Sequence, residues 1–214
     1  MIYLEETFNL AHASWEALDN FIDFSQRYLV PICPDIGARL VAAWSSDEDW
    51  FCQVKQVLEF EDLNALKTFR MNTSQNKAWG DYMAGLEEHA PVRRSRLMEP
   101  LGPVPVEVLH QAIADSQETP NYGYVHAILE VGIDKMADFK TAVGEGYKEY
   151  PIIACWRPIC GCPNEVLDIW KAPEPKKAYE PADEWGKEFL RSVRIIAPKE
   201  RAVRLLALPY SPLR

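Results

Sequence analysis

A histidine, an aspartate and an arginine stand on three stretches of this chain that read as β-strands, and together they could move a proton. His126 lies in Tyr-Gly-Tyr-Val-His-Ala-Ile-Leu-Glu-Val, residues 122–131. Period-two alternation puts Tyr124, His126, Ile128 and Glu130 on one face and Val125, Ala127, Leu129 and Val131 on the other. The second face is wholly apolar and is expected to pack on helices, which leaves the first for chemistry. Asp168 stands between Val166 and Trp170 on one pleat face of its own strand, and Arg204 interrupts Ala202 and Leu206. On adjacent strands, His126, Asp168 and Arg204 would converge. A carboxylate beside an imidazole fixes its tautomer and raises its basicity, which makes His126 a usable general base or acid, with Tyr124 and Glu130 on the same face. Arg204, or Arg94 and Arg96 from the first half, would stabilise a developing enolate or carboxylate. Trp44 and Trp156, with Trp15 and Trp170, could line an aromatic pocket, and Lys55 could bind substrate from its strand. The same residues also suit a plainer role, a buried polar network with the aromatics as core.

The elements that must position them follow from spacing. Ile2 to Leu10 reads as a strand, and Ala11 to Tyr28 as a helix with Trp15, Leu18, Phe21 and Ile22 at helical spacing, Ser14 as its cap and Pro31 and Pro34 as its stop. Gly37–Ser45 and Trp50–Phe60 flank the turn-prone Ser46-Asp47-Glu48-Asp49 as a hairpin. Asp62 caps a helical stretch through Leu66, Phe69, Trp79, Tyr82, Met83 and Leu86, and Pro91 to Glu99 closes the module as a strand. Pro105 opens a short linker helix. The strand at residue 122 then restarts the pattern, with a helix from Asp134 through Phe139 and Val143. A hairpin around Ile159-Cys160-Gly161-Cys162-Pro163, a helix bearing Trp185, Phe189 and Val193, and a strand from Arg201 to Leu208 complete it. Trp79-Gly80 is echoed by Trp185-Gly186. The order β-α-β-β-α-β therefore appears twice, which predicts an α+β chain of two tandem ferredoxin-like modules with antiparallel sheets, residues 1–101 and 122–214, joined by a linker over 102–121.

Composition narrows the class of partner. Of 214 residues, 32 are acidic and 23 basic, a net charge of −9 that argues against a phosphate backbone. No apolar run reaches the roughly 18 residues of a membrane span, and the start of the chain lacks a basic and then apolar leader, so a cytoplasmic protein is expected. Five cysteines, Cys33, Cys52, Cys155, Cys160 and Cys162, are too sparse for a disulfide scaffold. Cys160-Gly161-Cys162 has no fourth ligand at zinc spacing, so no metal is expected; a hairpin disulfide under oxidation is the intermediate case. Glu174-Pro175-Lys176-Lys177 reads as a solvated loop. Glycine-rich phosphate loops and serine-nucleophile elbows are absent.

Ile2-Tyr3 opening a strand, Gln53-Val54 running into Phe60-Glu61-Asp62-Leu63, and Trp79-x-x-Tyr82 within a helix resemble the NIPSNAP family of the dimeric α+β barrel superfamily. The resemblance covers most of residues 2–101 and, more faintly, 122–208. It implies a dimeric α+β barrel built as an internal pseudo-dimer. Where that family often carries His-x-Trp in the third strand, this chain has Gln56-x-Leu58 and Asp168-x-Trp170. Related superfamily branches such as chlorite dismutases and aldoxime dehydratases hold haem through a helix histidine, which brings His12, His89 and His110 forward. Two functions stay open. One is a small-molecule enzyme without an organic cofactor, a lyase, isomerase, cyclase or oxygenase acting on an apolar or aromatic substrate. The other is a non-catalytic NIPSNAP-type binding or scaffold protein, or a haem-binding member. A small-molecule ligand and a homo-oligomer are the expected partners, with neither nucleic acid nor membrane.

Overall fold

Caps and strand registers divide the chain into β1 (Ile2–Asn9), α1 (Trp15–Ile32), β2 (Arg39–Ser46), β3 (Gln53–Phe60), α2 (Leu63–Thr73), α3 (Lys77–His89) and β4 (Val92–Pro100). There follow α4 (Val106–Glu118), β5 (Gly123–Glu130), α5 (Met136–Gly146), β6 (Ile152–Pro158), β7 (Glu165–Lys171), α6 (Glu184–Ile196) and β8 (Lys199–Ala207). The structure, a computed structural model, describes residues 1–48, 50–174 and 183–214; Asp49 of the first turn and Pro175-Lys176-Lys177 of the expected solvated loop lie outside them. No helix among the described residues is long and apolar enough to cross a membrane.

Local chemistry explains the helix boundaries. Ser14 Oγ accepts from the Ala17 N–H at 3.1 Å and Asp62 Oδ1 from the Ala65 N–H at 2.8 Å, so both expected caps form. Pro31 falls inside the last turn of α1, which runs one residue past it to Ile32, so the helix ends beside the proline and not before it. The second helix of the first half is two helices. The chain breaks after Thr73, and Asn76 Oδ1 restarts it by accepting from the Trp79 N–H at 2.9 Å.

Two compact units result, one of Met1–Leu97 with Leu206–Arg214, the other of Met98–Leu205. In the first, β3 lies between β1 and β2, all antiparallel, with Leu4 opposite Leu58 and Glu6 opposite Gln56. Helices cover one face of this sheet. Phe8, Val54 and Leu58 meet Phe21 and Leu29 of α1 and Leu86 of α3, each contributing about 1.5–3 kcal/mol by leaving water. The chain's last residues belong to this unit, although they follow the second module in sequence. Gln56 Nε2 donates to Tyr210 OH at 2.6 Å, the Ala43 N–H to Ser211 Oγ at 2.9 Å, and the Leu208 N–H to the Ala43 carbonyl at 3.0 Å.

In the second unit the strand order is β8-β5-β7-β6-β4, so the first and third strands of this half are neighbours and the fourth lies beside the first, as a ferredoxin-like sheet requires. The expected linker joins this unit through α4, which packs on β6. Val125, Leu129, Val166 and Trp170 pack under Phe139 and Val143 of α5 and Phe189 and Val193 of α6. Close helix contact repeats in both units. A Cβ on Gly85 would strike the Phe24 ring, and one on Gly146 would strike Phe189.

Candidate functional site

On β5 and β7, directly opposed residues share a face, and the register decides everything about the expected proton-transfer group. His126 is opposite Ile169, whereas Asp168 is opposite Ala127. The two side chains therefore leave the sheet on opposite sides, and the His126–Asp168 pair does not form. Across β6, Ala154 continues the row of Ile169 and His126, while Cys155 stands opposite Asp168. Trp156, Leu167 and Ile128 make the next row on the His126 face.

That face, opposite the core that α5 and α6 cover, is apolar and aromatic around one imidazole. His126 is 1% exposed, Tyr124 fully buried and Trp156 2% exposed. Burial holds the Tyr124 phenol above its ordinary range, against the opposing pull of a hydrogen bond with Asn121, so it is a neutral donor at physiological pH. Glu130 shares the alternation but reaches solvent at the strand end, where it pairs with Lys199 at 2.8 Å.

Asp168 lies under the helices of its unit. Burial pushes its carboxyl up to about 7, with Glu200 adding to the rise and a hydrogen bond from Cys155 opposing it. Its Oδ1 has no hydrogen-bond partner among the described residues. The cavity it lines with Leu129, Val143, Trp170 and Phe189 holds about 10 Å³. That is room for about a single water. Arg204 is exposed, on the opposite pleat face of β8 from the buried Val203 and Leu205, so it does not join His126 either. Arg94 is exposed and Arg96 half-buried on β4, and both lie on the opposite face from Leu97, which packs on the helix-covered core.

Trp44 and Lys55 occupy the helix-free face of the first unit, side by side in register with Thr7. Lys55 Nζ donates to Thr7 Oγ1 at 3.3 Å. This face carries a network that sequence reasoning missed. Tyr3 OH donates to Glu59 Oε2 at 2.9 Å, Arg39 to Glu59 Oε1 at 3.1 Å, and Gln53 Nε2 to Asn9 Oδ1 at 2.9 Å. The alternation Gln53, Lys55, Val57, Glu59 was the available signal, since three polar side chains recur there at period two, while the opposite face of the strand has Gln56 alone among Val54, Leu58 and Phe60.

Of the three histidines at or near helices, His89 lies in α3 and His110 in α4, while His12 precedes α1. His12 is exposed, and His89 is packed 4.6 Å from the Phe24 ring and 6.4 Å from Phe21. None of the three lines either roughly 450 Å³ surface hollow, one along α2 and one between α5 and α6. Among the described residues, no group of three His, Cys, Asp or Glu could hold a metal ion.

No protein-family model and no curated protein matches the chain. Solved structures do. A "putative monooxygenase" from Fusobacterium nucleatum is similar with a TM-score of 0.63 at 12% identity, over 97% of this chain and 92% of that one. Another from Lactobacillus acidophilus gives 0.61 at 12% identity, over 96% and 93%. An anthrone oxidase-like protein gives 0.53 at 10%, over 96% and 90%. The chain thus has the dimeric α+β barrel fold, α+β with two βαββαβ halves and antiparallel sheets. NIPSNAP proteins among the solved structures cover only about half of the chain. A NIPSNAP domain protein from Burkholderia xenovorans covers 49% of this chain, at 16% identity and a TM-score of 0.44.

Proposed function

We propose that this protein is a small-molecule oxygenase that needs no organic cofactor, acting on an apolar aromatic substrate whose C–H or O–H is acidified by its ring system. The observation that carries it is one imidazole, His126, buried in register with Ile169 and Ala154 and beside Tyr124 and Ile128, on the sheet face opposite the core that α5 and α6 cover. The likeness to monooxygenases and to an anthrone oxidase-like protein supports the same class.

His126 accepts the substrate proton, and an apolar, water-poor surrounding keeps the resulting carbanion from being reprotonated by solvent. The carbanion delivers its electron pair to dioxygen. For a methylene substrate, carbon keeps one oxygen as a carbonyl and the other leaves as water with the two methylene hydrogens. Tyr124, a neutral phenol, donates a hydrogen bond to the oxyanion that develops.

Oxygen uptake by the purified chain with anthrones, hydroquinones and electron-rich phenols tests this. Turnover is expected with at least one, and His126→Ala is expected to lower it by about 10²–10⁴-fold while the chain stays folded, with the melting temperature lower by a few degrees. Full turnover in that variant, or no uptake with any of the panel, would sink the proposal. A strong Soret band in the purified protein would replace it with the haem reading.

A further inference from the structure

The hairpin between β6 and β7 carries two thiols that the proposed chemistry does not use. Cys160 and Cys162 are exposed and free, while Cys33, Cys52 and Cys155 are buried. The buried three are poor nucleophiles. Burial pushes the Cys33 thiol up to about 12 and raises Cys52 and Cys155, and the Cys52 thiol is further committed as a donor to the Ser14 carbonyl at 3.3 Å.

The turn is built to hold the exposed pair together. Gly161 has a φ of 109°, a left-handed conformation that residues with a Cβ avoid, and open space surrounds it. Pro158 ends β6, and Pro163 follows Cys162 directly. The downstream leg is tied to β5. The Val131 N–H donates to the Asn164 carbonyl at 2.9 Å, the Asn164 side chain returns a bond to the Val131 carbonyl at 2.8 Å, and the Glu165 N–H donates to the Cys162 carbonyl at 3.2 Å. Two residues apart, the Cα atoms are separated by at most about 7 Å, and a bend shortens that into the range a disulfide spans.

We propose that Cys160 and Cys162 are a thiol–disulfide exchange site whose co-substrate is a small disulfide of the glutathione class. One cysteine thiolate attacks the small disulfide, forming a mixed disulfide and releasing one small thiolate. The second cysteine thiolate attacks the protein sulfur of that mixed disulfide, closes a Cys160–Cys162 bond and releases the other small thiolate. Two electrons pass from the pair to the co-substrate, and the two released thiolates take up the two cysteine protons.

The test is to equilibrate the full chain with graded ratios of oxidised to reduced glutathione, quench by alkylation and measure intact mass. Cys160 and Cys162 are expected to lose labelling together, giving a species lighter by two hydrogens without a glutathione adduct. Cys160→Ser is expected to abolish that species and leave Cys162 as a persistent glutathione adduct. Gly161→Ala is expected to strain the turn and shift the parent equilibrium toward mixed disulfide. Glutathione on both cysteines of one parent molecule, independent labelling of the two thiols at every ratio, or oxidation only to a disulfide-linked dimer would overturn the proposal.

Discussion

The two halves repeat one strand order and differ in the chemistry of the sheet face opposite their helix-packed cores. In the first half the helix-free face is polar, with Tyr3, Arg39 and Glu59 joined and Gln53 paired to Asn9. In the second, the equivalent face is apolar and aromatic around His126, and the buried acid, Asp168, has moved beneath the helices. The first half has a counterpart beneath its own helices. Glu6 stands opposite Gln56, with burial raising its carboxyl and Arg93 opposing the rise. Shared strand order therefore leaves side-chain chemistry free to diverge, because each face needs only to be internally satisfied.

If the His126 face is held by packing, Trp156→Ala is expected to cost about 3–5 kcal/mol, measured by urea unfolding. A loss below about 1 kcal/mol would show that the face is not close-packed. Asp168 gives the next effect, and it depends on pH. Its carboxyl rises from 3.8 to about 7, so the folded chain holds this proton more tightly than the unfolded one. The contribution is complete below the unfolded value and is lost as pH climbs through about 7. Asp168→Asn is expected to match the parent near about pH 4 and to exceed it above about pH 8 by up to the order of 4 kcal/mol. A pH-independent difference would show that Asp168 is ionised in the fold.

The polar and apolar faces can then be set against each other directly. Glu59→Leu takes the acceptor from the buried Tyr3 hydroxyl, while the half-exposed Arg39 turns to water, and is expected to cost about 2 kcal/mol. His126→Leu removes one polar group from an apolar setting, and is expected to cost about 1 kcal/mol while ending turnover. Equal losses would erase the contrast between the halves. The smallest effect belongs to the surface. Arg157 bonds Glu99 through NH2 at 2.6 Å, yet both side chains are partly exposed, and Arg157→Ala is expected to change stability by less than about 1 kcal/mol.

Much of this architecture was legible before the fold. Ser14 and Asp62 announce helix starts because their side chains can satisfy N–H groups that a first turn leaves open. Val125, Ala127, Leu129 and Val131 announce a helix-covered face because only burial accounts for an unbroken apolar row. The break at Ser74–Asn76 falls in an unbroken polar run from Asn72 to Lys77, whose capping residues were the signal that a single helical stretch passes over. The return of Leu206–Arg214 to the first unit could not be read locally at all, because its partners, Ala43 and Gln56, lie more than 150 residues away in the chain.

The sequence by itself determined the strands, the helices and which residues alternate together on each strand. It did not determine the partnership of His126 and Asp168. Both faces of β7 are apolar apart from Asp168, with Val166 and Trp170 on one and Leu167 and Ile169 on the other, so alternation there carries no label for which side meets the helices. Only the pairing of β5 with β7, His126 against Ile169, supplied that label. A shift of one residue in register exchanges every side chain between the two faces, and where the hydrophobic pattern labels neither face, only the strand pairing itself decides.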